Sequence, residues 1–153
     1  MTTIAGLPAH ALLVHAIVVL VPLVALLAIL CALWPAARRR LVWLVLVLAA
    51  VNFVLTPFTT EAGEWLYDQR KQHSPILQEH AERGEWMIYF SAALLVVAIA
   101  LAILHFLESR SDKRRTIATV IVAVVALAVG VSSIVGVYRI GDAGAQSVWG
   151  RGG

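Results

Sequence analysis

The chain has 153 residues, of which 61% are hydrophobic and 14% charged, and its mean hydropathy is +0.87. Soluble domains are about 45–50% apolar and about 25% charged. The composition therefore excludes a disordered chain, a nucleic-acid-binding tail and an ordinary soluble enzyme, and it points to a lipid bilayer. The net charge of +3 reads as a topology signal in such a chain, not as affinity for nucleic acid.

Four apolar blocks follow one another: 11–34, 41–58, 86–107 and 117–138, of 24, 18, 22 and 22 residues. A helix needs about 17–25 such residues to cross the hydrocarbon, and only helices satisfy their own backbone there in so short a chain. The expected fold is an all-α, up-and-down four-helix membrane bundle forming one domain over 1–153. No Lys or Arg precedes the first block, so it reads as a span and not as a cleaved signal peptide. Its single cysteine, Cys31, excludes an intramolecular disulfide. Pro22 is a candidate kink in the first span.

The link at 35–40 carries Arg38, Arg39 and Arg40, and the link after the third block carries Arg110, Lys113, Arg114 and Arg115. The positive-inside rule places both links in the cytoplasm, with both termini and the loop 59–85 outside. Trp34, Trp43, Trp65, Trp86 and Trp149 sit near span ends or beyond them, as an aromatic belt does. Asn52, inside the second span, is expected to bond a neighbouring helix, and Thr56-Pro57 to shape the exit from it.

The loop 59–85 has helical signals. Thr60 is a candidate cap for a helix over 61–72. Ser74-Pro75 marks a second start, and that helix is expected to run through Trp86 into the third span, over 75–107. In the fourth span, Ala126, Gly130 and Ser133 share one face and Ala128, Ser132 and Gly136 another. Such faces suit close packing within the bundle, or a homodimer through this span. No internal repeat is evident.

The histidines carry the candidate chemistry. His10, His15, His73 and His80 gather at the outer side, and His105 lies near the inner end of the third span. His15 is an ionisable group inside an apolar span, which makes it a functional candidate by default. Two axial haem ligands approach the iron from opposite faces, and His10 and His15 are about 140° apart around one helix. His15 with His80 is the first pairing for a haem b; His10 with His80, nearer the surface, is the second. Glu61 and Glu64 share a helical face and, with His80, form a weaker candidate for a non-haem metal site. No phosphate loop, nucleophile elbow or zinc-protease motif is present.

The run Leu7-Pro8-Ala9-His10-Ala11-Leu12-Leu13-Val14-His15 resembles the opening motif of a bacterial four-span membrane family, domain of unknown function 2231. Thr60-Glu61-Ala62-Gly63-Glu64-Trp65-Leu66, His80, Arg139-Ile140-Gly141-Asp142-Ala143-Gly144-Ala145 and Trp149 fit the same resemblance over nearly the whole chain. Ala11 departs from a family proline, and Asp142 from a histidine. The resemblance implies a multi-pass protein of the bacterial inner membrane with no assigned activity. Some relatives are fused to Rieske-type ferredoxin domains, which implies a redox setting and, here, a separate ferredoxin-like partner. The leading expectation is a haem-b, redox-linked membrane protein, with Asp142, Glu61 and Glu64 as charge partners of the site. The alternatives are an accessory subunit of a larger membrane complex, and a metal-ion binding or transport protein.

Overall fold

The computed structural model describes residues 3–4, 7–69, 71, 74–111 and 115–149. Among the residues singled out above, His73, Lys113 and Arg114 lie outside the described set. A minimal antiparallel pairing of β1 (Thr3–Ile4) with β2 (Leu7–Pro8) leads into α1 (Ala9–Leu33). The rest is helical: α2 (Pro35–Asp68), α3 (Pro75–Glu85), α4 (Met87–Ser109) and α5 (Thr116–Trp149). Four helical stretches are long and apolar enough to cross a membrane: Ala9–Leu33, Pro35–Asp68, Pro75–Ser109 and Thr116–Gln146.

The four long helices form a ring. α1 packs on α2 and α5, α4 packs on the same two helices, and α1 meets α4 across the middle. The core is built from small and β-branched side chains, among them Val21, Ala25, Ala28, Cys31, Ala49, Ala98 and Ala126. Small side chains let helix backbones approach closely, which drives packing where lipid removes the hydrophobic contrast between helix and surroundings. Leucines, valines and isoleucines such as Val19, Leu26, Val47, Val54, Ile103 and Val124 cover the outside, as a lipid-facing surface requires. The five tryptophans are all exposed.

Three local features differ from the sequence-based expectation. The link between the first two spans is Trp34 alone, not 35–40. Trp34 is extended (φ −125°, ψ 104°) and Pro35 occupies the first turn of α2. A residue before proline is driven to the extended region, while proline itself needs no N–H at a helix start. Next, α2 runs unbroken through Pro57 to Asp68, so no separate helix starts at Glu61. The Thr60 hydroxyl donates back to the Thr56 carbonyl at 3.2 Å, and the Thr56 and Thr59 hydroxyls donate to Asn52 and Leu55 carbonyls at 2.8 Å each. A threonine bonded backward is a mid-helix residue, not a cap. Finally, α5 continues past Tyr138 to Trp149. The second start is as expected: Ser74 Oγ accepts from Leu77 N–H at 3.3 Å with Pro75 following, and the helix passes into α4 with a single turn residue, Trp86.

The two hairpins, α1–α2 and α4–α5, share one layout. Residues seventy positions apart in α1 and α4 are buried together: Ile17 and Met87, Val21 and Ser91, Val24 and Leu94, Ala28 and Ala98, Cys31 and Leu101. Residues eighty-one apart in α2 and α5 do the same: Val45 and Ala126, Ala49 and Gly130, Asn52 and Ser133, Thr56 and Val137. The side chains differ in most pairs, so the repeat is one of position and escapes a reading of residue identity.

Candidate functional site: a facing histidine pair

His10 opens α1, and α3 carries His80 over the far end of α5. Their rings face each other with centres 6.4 Å apart and planes 77° apart. His10 Nδ1 lies 3.0 Å from the Thr59 carbonyl of α2, and His80 Nδ1 lies 3.0 Å from the Ile140 carbonyl of α5. A carbonyl only accepts, so Nδ1 carries a proton in both rings. Thr59 and Ile140 are themselves eighty-one positions apart, so the two histidines are held in the same way by the two halves of the bundle.

Each ring rests against a glycine one turn beyond the carbonyl that holds it. A Cβ at Gly63 would stand 2.8 Å from His10 Cε1 and 3.0 Å from Nδ1; a Cβ at Gly144 would stand 2.9 Å from His80 Cε1 and 3.2 Å from Nδ1. Any side chain at either position forces its imidazole to move. The signal for this cradle is present in the sequence as two acidic–alanine–glycine runs, Glu61-Ala62-Gly63 and Asp142-Ala143-Gly144. Neither glycine was marked as a site residue, because its role is to leave space.

The pair lines a small pocket of about 70 Å³, walled by Val14, Ile17, Val18, Met87, Val137 and Ile140 with Thr56, Thr59, Thr60, Gly84 and Gly141. Most of the walls are matched positions of the two hairpins, so the pocket lies between the halves and belongs to neither.

His15, the first choice to face His80, stands apart from this pair. It is exposed, and its Nδ1 turns back to the Ala11 carbonyl of its own helix. Five residues beyond His10, it points to another side of α1. Glu61 and Glu64 are exposed, and no group of three His, Cys, Asp or Glu converges on a common point among the described residues. The non-haem site of Glu61, Glu64 and His80 therefore does not assemble. Asp142 is exposed too, accepting from Gln146 Nε2 at 2.8 Å. His105 packs edge-on to Trp43, with ring centres 6.3 Å apart.

The other end of the bundle holds a closed polar pair. Arg38, expected as a loop cation, is fully buried. Its Nε and Nη2 donate to the two Glu108 carboxylate oxygens at 3.0 and 2.7 Å, and Nη1 donates to the Cys31 carbonyl at 2.8 Å. The guanidinium thus caps the C-terminus of α1 while clamping it to α4, a favourable place for a cation at the negative end of a helix. Arg38 and Glu108 are seventy positions apart, as His10 and His80 are.

Comparison with curated proteins and with solved structures yields no match. Residues 6–153 match the family described as predicted membrane protein DUF2231. With nearly all of its length matched and four apolar spans in place, the chain belongs to the DUF2231 family of membrane proteins.

Proposed function

We propose that the protein is a membrane-bound electron carrier that holds one b-type haem between His10 and His80. The observation that carries the reading is the geometry of this pair. An imidazole nitrogen ligates a metal at about 2 Å, and its ring centre lies about 1.1 Å behind that nitrogen, so two imidazoles on opposite sides of one metal have centres about 6.2 Å apart. The ring centres here are 6.4 Å apart. Both Nδ1–H groups are spent on carbonyls, the arrangement that fixes a ligating histidine's tautomer and orientation. A zinc ion takes at least three protein ligands, which the described residues do not offer. A haem brings four nitrogens of its own and asks the protein for two.

In this reading His10 and His80 would hold the haem iron, Thr59 and Ile140 would orient the two rings, and Gly63 and Gly144 would leave room for them. The walls of the pocket are mostly apolar, the lining that the faces of a macrocycle favour. When bound, the haem supplies one-electron exchange. The arginine clusters favour an orientation with the histidine end on the outer face of the bacterial inner membrane, where a ferredoxin-like protein is a suitable partner.

The test is an absorption spectrum of the full chain purified in detergent from haem-replete cells, oxidised and then reduced with dithionite. A Soret band and a sharp reduced α-band at one haem per chain, lost in His10→Ala and in His80→Ala but kept in His15→Ala, support the reading. A colourless protein, or a full spectrum in both histidine variants, overturns it.

A further inference from the structure

A groove of about 440 Å³ runs between α5 and the passage of α3 into α4, within the roughly 300–1,000 Å³ that ligand sites occupy. Two stripes line it. Arg83, Trp86 and Phe90 follow at helical spacing on one side, and Val131, Val135 and Arg139 on the other. Both stripes run the same way along the bundle, apolar within the span and ending in an arginine at the histidine end. Ile140 lines both this groove and the histidine pocket. Trp86 is exposed at the joint of α3 and α4, and tryptophan marks the level of lipid headgroups.

The two arginines are the only charged residues in the lining. Arg139 is exposed and has no ion-pair partner among the described residues. Arg83 pairs with Glu79 of its own helix, and both side chains are half-exposed. A guanidinium has five N–H donors, so this pair leaves donors for a further anion. We propose that the groove binds one phospholipid of net negative charge, its phosphodiester held by Arg83 and Arg139 and one acyl chain laid along Phe90, Val131 and Val135. Charge and depth together name the occupant. The guanidinium fork matches phosphate oxygens, and the apolar stretch matches a hydrocarbon tail. A zwitterionic lipid brings its own cation to the two arginines, and a soluble phosphate ester leaves the apolar stretch unfilled. The shared phosphate ties α3, which carries His80, to α5, whose Ile140 carbonyl receives it. The site does not depend on haem.

The test is native mass spectrometry of the full chain in a neutral detergent, titrated with phosphatidylglycerol, phosphatidylcholine or glycerol phosphate. One phosphatidylglycerol per chain is expected, held about tenfold more tightly than phosphatidylcholine because of its charge-assisted contacts, with no retention of glycerol phosphate. Arg83→Gln and Arg139→Gln should each weaken phosphatidylglycerol about tenfold, the worth of one hydrogen bond to a charged group. Val135→Trp should fill the groove and exclude both lipids. Arg39→Gln with Arg40→Gln, exposed positions at the other end of the bundle, removes as much charge as both groove variants together and should leave the affinity unchanged. Equal affinity for the two lipids overturns the proposal, as does an affinity that the distant arginines move as much as the groove arginines. Tight retention of glycerol phosphate would make the groove a soluble-anion site, and a lipid-free dimer would place a second copy over it; either result also overturns the proposal.

Discussion

Two polar pairs close the two ends of this bundle, and in each the partners lie seventy residues apart in the chain. At one end Arg38 and Glu108 bond to each other and to the end of α1. At the other end His10 and His80 each commit Nδ1 to a backbone carbonyl, and both residues line a shared pocket. One end thus carries a fastener, and the other a pair of rings joined to the backbone and not to each other. The difference lies in the side chains: a guanidinium and a carboxylate complete each other's hydrogen bonds, whereas two imidazoles with the same tautomer cannot bond to each other through their bare nitrogens.

The largest stability effect should come from breaking the fastener. Glu108→Ala leaves a buried guanidinium without its counter-charge, which costs about 3–5 kcal/mol, read as a lower midpoint of thermal unfolding in micelles. Replacing both partners, Arg38→Met with Glu108→Leu, should recover most of that loss. If the double variant is as unstable as the single one, the clamp is not a simple ion pair.

The cradle comes next. Gly63→Ala or Gly144→Ala drives a Cβ against an imidazole and should weaken haem retention roughly 10–100-fold, the range seen when the groups orienting a metal ligand are disturbed. The two variants should resemble each other, because the halves are matched; a loss confined to one would break that equivalence. Haem titration of the apoprotein reads both.

Smaller effects follow on the helix that carries His80. Ser74→Ala removes the α3 cap and should cost about 1 kcal/mol, seen as faster backbone amide exchange over 75–80. A difference from Glu108→Ala is expected here: fraying α3 loosens the histidine end and leaves the arginine end intact. The smallest effect is predicted for His15→Phe, which should change neither the unfolding midpoint nor the haem spectrum, since the ring of His15 faces away from the pair.

Much of the framework was legible in the residues. The four spans, the Ser74-Pro75 helix start and the convergence of His10 and His80 at one end all follow from local pattern. The choice between His15 and His10 did not. Depth in the apolar block favours His15, but which ring meets His80 is decided by the way α1 is rotated against its neighbours. Arg38 shows the same limit from the other side. A run of three arginines reads as a solvated loop, and only the approach of α4 brings Glu108 within reach of the first of them. The glycine cradle was written twice in the chain, yet its meaning depends on rings that arrive from other helices.

What the sequence by itself determined is therefore the solvent and the element count: apolar runs of bilayer length require membrane helices whatever their order in space. Tertiary structure decided which polar groups meet. Hydropathy and capping are summed over neighbours in the chain, while a facing pair of side chains depends on the rotation and register of helices seventy residues apart, set by the small side chains packed between them.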